Sequence, residues 1–308
     1  MTLPNPVALA TPVFVVLILV ELIAARTGRA RSVRFEARDS LTSMLMGLLS
    51  GVPGAFTGSV VVALGAVVYQ YRLFDLGYSL PVFIAAFILD DLAYYLFHRS
   101  AHRVRWFWAS HVIHHSSRHY NLTTALRQTW TGFFSASFIF RWPLLLIGFP
   151  WEVVVFVSGL NLVYQFWIHT EAVDRLPRWF ELVMNTPSHH RVHHATNPRY
   201  LDANYAGVFI IWDRWFGTFV PETASDPCRY GIVKNLGTFN PLRVAVHEWV
   251  GIARDLVRAR SLRDLCGYLF GPPGWRPDGG GETTAAIKAR WRETDGSEAP
   301  AGQTEVAA

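Results

Sequence analysis

The chain has 308 residues, 51% of them hydrophobic and 17% charged, with a formal net charge of +5. An ordinary soluble domain carries roughly 25% charged residues, so the composition favours an integral membrane protein. The modest charge, without a Lys/Arg-rich block, argues against nucleic acid as a partner, and two distant cysteines, Cys228 and Cys266, argue against a disulfide framework or a thiolate metal site.

In chain order, residues 8–25 (ALATPVFVVLILVELIAA) are long and apolar enough for a first span, and no basic n-region precedes them, so they are expected to be retained. The loop 26–38 holds Arg26, Arg29, Arg31, Arg34 and Arg38, which predicts a cytoplasmic location for it. Residues 41–70 form an apolar run broken by GVPG at 51–54, read as one tilted helix or as two shorter ones bent at Pro53. Residues 80–97 form the next span. Residues 131–149 and 151–168 follow, split by Pro150. Arg141 lies inside the first of these, which makes 131–149 either a span with a paired arginine or half of a re-entrant hairpin. On this topology His98 and His169 both emerge on the cytoplasmic face.

The histidines are concentrated. Eleven of the twelve fall between positions 98 and 194. His98 and His102 form H-x-x-x-H. His111, His114 and His115 form H-x-x-H-H, and so do His190, His193 and His194, preceded by His189. His169 stands alone after an apolar run. On a helix, residues three and four apart share a face. The spacing therefore pairs positions 1 and 4 of each H-x-x-H-H, with position 5 displaced by about 100° toward a second metal. A lone histidine such as His247 is most simply a hydrogen-bonding group. Three spaced motifs are not, because so many buried imidazoles would leave many polar atoms unsatisfied. Nine or ten nitrogen ligands exceed the four or five of one ion and imply two. Imidazole suits zinc, copper, iron and nickel. The glutamates of the zinc-protease motifs and the E-x-x-H pairs of soluble di-iron bundles are absent.

Other polar residues accompany the motifs. Asp91, Tyr94, Tyr95, His98 and His102 form one helical stripe, on which Asp91 is placed to orient a metal-bound ring. Asp90 points elsewhere and is read as topological. Asn121, Asn185, Asn204 and Tyr205 are read as turn, capping or functional residues. After Pro272 the sequence turns to PPGWRPDGGG and a charged, alanine-rich stretch, expected to be a disordered tail.

The motifs HRSAH, HVIHH and HRVHH, in this order, resemble the histidine boxes of the fatty acid hydroxylase/sterol desaturase superfamily. HHSSRHYNLTTALRQ (114–128), WIHTE (167–171), LPRWFELVMNTPSHHRVHH (176–194) and NPRYLDANYAGVFIIWDRWFGTFVPE (197–222) resemble its alkylglycerol monooxygenase-like branch. The resemblance covers about residues 80–222. It implies oxygen activation at two non-haem irons and hydroxylation of a lipid C–H bond. The implied ligands are His98, His102, His111, His114, His115, His169, His190, His193 and His194, with Asp91, Asn121 and His189 as catalytic or supporting candidates. It further implies a lipid substrate entering from the bilayer, O2, and an outside electron donor, for which the tetrahydrobiopterin of the animal ether-lipid enzymes is one candidate. Arg103 and Arg118 depart from the pattern, since relatives usually carry acidic residues there.

The expected fold is all-α: a multi-pass membrane bundle, in a bacterial inner membrane or the endoplasmic reticulum, capped on the cytoplasmic side by a histidine-rich helical domain. Its expected divisions are N-terminal spans at 1–79, a histidine-box domain at 80–222, a helical extension at 223–271 and the tail at 272–308. A sterol or carotenoid desaturase or hydroxylase, and a non-catalytic membrane metal-binding protein, are the alternative readings.

Overall fold

The computed structural model describes residues 3–295, and no β-strand ladder occurs among them, only two isolated bridges. The helix α1 spans Pro6–Arg26; Pro6 sits at its first turn and Asn5 caps it by accepting from the Val7 and Ala8 amides. At 1.5 Å per residue its 21 residues reach about 31 Å, the thickness of a bilayer core. Leu9, Val13, Val16, Leu19, Val20 and Ile23 are all exposed along it. A row of such residues facing outward over the length of a helix is a surface made for lipid.

Helices α2 (Ala37–Leu49) and α3 (Gly51–Gln70) are separated only at Ser50. The break thus precedes Pro53, which falls within the first turn of α3, where a missing N–H costs nothing. The two halves live in different surroundings. Helix α2 buries Asp39, Ser40, Thr42 and Ser43 in the cap, whereas α3 exposes Val52, Phe56, Val60, Val62 and Val67. Helix α4 (Leu80–Arg103) is the third helix long and apolar enough to cross a membrane, counting α2–α3 as one.

Extended backbone at Val104 turns the chain into α5 (Arg105–His115), which folds back beside α4. The 131–149 run is not a full span. It forms a 3-10 turn (Ser137–Arg141) and the short helix α6 (Trp142–Ile147), which joins a core with α4 and with α7 (Trp151–Trp167). Arg141 is paired, as a half-span with a buried charge requires: its Nε donates to Asp90 Oδ1 and to Ser158 Oγ, both at 2.7 Å. Asp90, read from sequence as a topological residue, is instead fully buried as the partner of this cation. Replacing Arg141 with Met is expected to destabilise the protein by about 3–5 kcal/mol, since an unpaired carboxylate stays behind. The double variant with Asp90→Asn should recover most of that, and thermal unfolding in detergent measures both.

The cap is completed by α8 (Arg178–Val183), α9 (Pro187–His194), α10 (Ile211–Trp215), α11 (Pro241–Arg258), α12 (Leu262–Phe270) and α13 (Thr284–Asp295). Helix α11 is held to α5 by Arg105, whose guanidinium donates to Glu248 (2.6 Å) and Asp255 (2.7 Å). The stretch expected to be a disordered tail differs from that expectation as far as Asp295. Arg105 N–H donates to Gly271 O, Trp275 packs against Tyr268, and α13 follows. The composition that suggested disorder is a tight turn, with Gly274 and Gly279 at positive φ. Residues 296–308 lie outside the described residues.

The arginine-rich loop lies at the same end of the molecule as the histidines. Ser32 Oγ donates to Glu171 O, and Asn121 Nδ2 donates to Arg34 O.

Candidate metal centre

Four segments converge on the histidines. The C-terminal turns of α4 bring His98 and His102, α5 brings His111, His114 and His115, the end of α7 brings His169, and α9 brings His190, His193 and His194. Their ligand nitrogens fall into two groups: His98, His102, His111, His115 and His193, and then His114, His169, His190 and His194. Within each group the ligand atoms lie within 4.8 Å of one another. The groups share a wall, where the His115 ring stacks on His194 with centroids 4.4 Å apart.

The division differs from the expectation that positions 1 and 4 of H-x-x-H-H act together. Positions 1 and 5 share a group: His111 with His115, and His190 with His194. The middle residue crosses over, His114 to the second group and His193 to the first. Four residues turn a helix by about 400°, only 40° from a full repeat, whereas three leave it 60° short. Each group is therefore built on i, i+4 pairs, and α5 and α9 each contribute to both.

The ring orientations are fixed from behind. His98 Nδ1 lies 2.7 Å from Tyr205 O, His169 Nδ1 2.7 Å from Gln165 O, and His193 Nδ1 3.0 Å from Ala203 O. A carbonyl only accepts, so each of these Nδ1 atoms carries the proton and each Nε2 presents a lone pair. The Nε2 atoms meet one another: His98 and His111 at 2.8 Å, His111 and His115 at 3.1 Å, His115 and His193 at 3.1 Å. In the second group His169 meets His114 and His190 at 3.1 Å, and His190 meets His194 at 3.2 Å. Burial, reinforced by like neighbours, pushes His111, His114, His115, His190, His193 and His194 well below the ordinary imidazole pKa. The rings are thus neutral, and His98 and His193 turn lone pairs, not protons, toward their neighbours. His102 Nε2 and His190 Nδ1, both buried, find no hydrogen-bond partner. Converging lone pairs repel one another unless a cation sits between them. The donor set fits a metal in each group.

Two of the three carbonyls behind the rings, Ala203 O and Tyr205 O, come from one turn. Asn204 adopts φ +54°, a left-handed conformation that Asn tolerates better than most residues. It separates the two carbonyls, Ala203 O and Tyr205 O, that hold His193 and His98. Its side chain donates to His189 O and Val220 O and accepts from Val220 N–H. Asp213 accepts from the next two amides, Tyr205 and Ala206, at 2.8 Å, and from Thr218. Burial pushes its carboxyl up to about 6 despite those bonds. Replacing Asn204 with Ala should lower metal affinity by about 10–100-fold, the usual cost of losing support behind a ligand. Asn204→Gly, which restores the backbone freedom but not the hydrogen bonds, should fall between. Metal retention after dialysis against a chelator compares them.

The other sequence candidates fall outside the two groups. The Asp91 carboxylate, expected to orient a ring, accepts instead from Asn161 Nδ2, the Val208 and Phe209 amides and Trp212 Nε1, all at 2.8–2.9 Å. It bonds to no histidine among the described residues. It clamps the 208–212 loop onto α4 and α7 because those donors lie nearer than any imidazole. Gly207 allows this approach, since a Cβ there would sit 2.7 Å from Asp91 Oδ1 and Asn161 Oδ1. Asn121 caps the 3-10 turn Leu122–Leu126 and does not face the rings. His189 packs on Phe219, with Nε2 3.9 Å from Glu181 Oε2. His119 lies 3.3 Å from Asp39, and His247 Nδ1 lies 2.9 Å from Val244 O. Arg103 and Arg118 are exposed.

Two buried arginines that the sequence reading passed over do structural work here. Arg191, inside the third histidine motif, binds Glu222 and the carbonyls of Thr170, Val173 and Asp174, tying α9 to the segment that follows His169. Arg127 pairs with Asp39 and braces Ser116 beside His115. A cation next to a ligand motif in an apolar chain was the available signal.

A cavity of about 630 Å³ reaches the first group past His102, His115 and His193, with Trp108, Lys234 and Arg276 on its wall.

The fold and site define a helical, membrane-type protein in which nine histidines gather in two adjoining groups, each able to hold a metal ion. Residues 83–218 match the model of the fatty acid hydroxylase family, so this stretch of the chain is a fatty acid hydroxylase domain. Among individual proteins the chain is similar to the alkylglycerol monooxygenases. It is 39% identical to that of Homo sapiens over 96% of this chain and 65% of that protein, and 40% identical to that of Xenopus tropicalis over 89% of this chain and 60% of that protein. A more distant similarity, 27% identity over 44% of this chain and 41% of the other, links it to an ornithine lipid hydroxylase of Rhizobium tropici. The chain thus spans 50–65% of the length of the alkylglycerol monooxygenases it matches. No solved structure matches it.

Proposed function

We propose that the protein is an O2-dependent lipid hydroxylase with one iron in each histidine group, acting on an ether lipid of the alkylglycerol kind. The observation that carries this reading is the convergence of nine imidazoles, several locked from behind by carbonyls, into two adjoining groups. His98, His102, His111, His115 and His193 would hold one iron, and His114, His169, His190 and His194 the other. When bound, the irons supply the oxygen chemistry that inserts one atom of O2 into a C–H bond, with electrons from an outside reductant.

The rest is the work of the chain. The backbone carbonyls of Tyr205, Ala203 and Gln165 hold the proton on Nδ1 and keep Nε2 forward, so ligand geometry does not have to reorganise. Burial keeps the rings neutral. The exposed apolar faces of α1, α3 and α4 seat the molecule in the bilayer, from which an ether lipid arrives tail first. The arginine loop 26–38, at the same end as the histidines, supports a cytoplasmic location for that end.

Similarity to alkylglycerol monooxygenases extends over nearly the whole chain, whereas that to a cholesterol 25-hydroxylase-like protein of Danio rerio covers 44% of it. This favours an ether lipid over a sterol. Incubation with an alkylglycerol, reductant and ¹⁸O2 tests the reading by mass spectrometry. Labelled product is expected with the alkylglycerol and not with cholesterol. Absence of label with every lipid tried, from protein holding two irons, would reduce it to a metal-binding protein.

A further inference from the structure

Beside the metal centre, and separate from it, a small cavity of about 190 Å³ lies between α8 and α10. Arg175, Arg178 and Arg214 line it, together with His189, Glu181 and Glu222. We propose that this cavity holds the phosphate of an anionic phospholipid headgroup at the membrane interface, a proposal that rests on the membrane-seated reading above but not on catalysis.

Charge is the first argument. Glu222 is neutralised by Arg191, at 2.7 and 3.0 Å. Glu181 spends one oxygen on the Leu176 amide, Thr186 and Ser188. Three arginines then face a single remaining carboxylate, which leaves the cavity net positive. Arg214 is held over the Phe219 ring at 3.9 Å and donates to Glu181 O, so one fork of the site is fixed in place. Guanidinium groups match phosphate oxygens in geometry as well as charge.

Depth is the second argument. The loop before α10 does not stay at the cap. Phe209 packs on Phe87 of α4, at 6.0 Å, and Phe87 lies 16 residues, about 24 Å, from the cap end of that helix at Arg103. The α8–α10 face therefore runs down beside the apolar half of α4. Its rim is apolar and outward: Trp179 is 71% exposed and Trp215 73%, with Leu182, Val183 and Phe216 also exposed. Tryptophans around a cluster of arginines are the side chains of a membrane–water interface, with rings among the acyl chains and cations among the headgroups.

The full chain in phosphatidylcholine nanodiscs, titrated with brominated phosphatidylglycerol and separately with brominated phosphatidylcholine, tests this by quenching of tryptophan fluorescence. The part of the signal lost in Trp179→Phe/Trp215→Phe reports the site. Selective quenching by phosphatidylglycerol is expected, weakened about fivefold by Arg178→Gln or Arg214→Gln and by about 25-fold in the double variant. Metal content should be unchanged in all of them, so a failure here is separable from a failure of the metal centre. Equal quenching by both lipids, or selectivity that survives the double variant, would overturn the proposal. Displacement by millimolar inorganic phosphate would also overturn it, by marking a site for free phosphate rather than lipid.

Discussion

Replacing His193 with alanine is expected to abolish turnover and remove metal from one of the two groups. His193 is the α9 ligand that crosses into the α4–α5 group. Its Nε2 meets His115 at 3.1 Å, and its Nδ1 is fixed by Ala203 O. The alanine variant leaves that group without its contribution from α9 and keeps the second group intact. Metal per chain should fall by about half, and activity by at least about 100-fold, since losing even the support behind a ligand costs 10–100-fold. His247→Ala is the control. Its ring bonds within α11 and lies outside both groups, so metal and activity should persist. Equal metal loss in the two variants would contradict the division of the histidines described here.

Replacing Asp91 with alanine is expected to damage stability more than chemistry. The carboxylate, completely buried, accepts four hydrogen bonds, two of them from the backbone amides of Val208 and Phe209. Removing it strands those donors together with Trp212 Nε1 and Asn161 Nδ2. One unsatisfied buried donor costs about 1–3 kcal/mol, and losses within one network do not add fully. A loss of about 3–5 kcal/mol follows, enough to release the 205–213 segment and with it the carbonyl behind His98. Asn at this position keeps one acceptor and should cost less. Thermal unfolding combined with kinetics on the surviving folded fraction separates the two roles. A clamp lowers the melting temperature and spares kcat at permissive temperature, whereas a residue acting on the chemistry would lower kcat in a protein of normal stability.

The gathering of the histidines was legible because histidine spacing on helices is a local property. HRSAH, HVIHH and HRVHH name their faces without reference to the rest of the fold. His169 needed the resemblance, since a lone histidine after an apolar run carries no spacing signal. The sorting into groups was not legible. Whether His111 joins His114 or His115 depends on how α5 faces α4 and α9, which only the packing decides. Asp91 shows the same limit from the other side. Its helical stripe placed it correctly on the face of His98, but the amides of Val208 and Phe209, 117 and 118 residues away, took its lone pairs first. The turn at Asn204 and the buried Arg191 are of this kind too: their roles are set by carbonyls that come together only in the folded chain. The apolar run at 131–149 was ambiguous for a physical reason. Arg141 is tolerable at depth only with a partner, and the sequence does not pair it with Asp90.

The proposed function requires one iron in each histidine group. Elemental analysis and Mössbauer spectroscopy of the full chain, purified with ⁵⁷Fe, test it most directly. Two irons per chain are expected, held in nitrogen-rich sites that are both lost in a double variant lacking His193 and His190. One iron per chain, or a stable complement of zinc that iron does not replace, would contradict it.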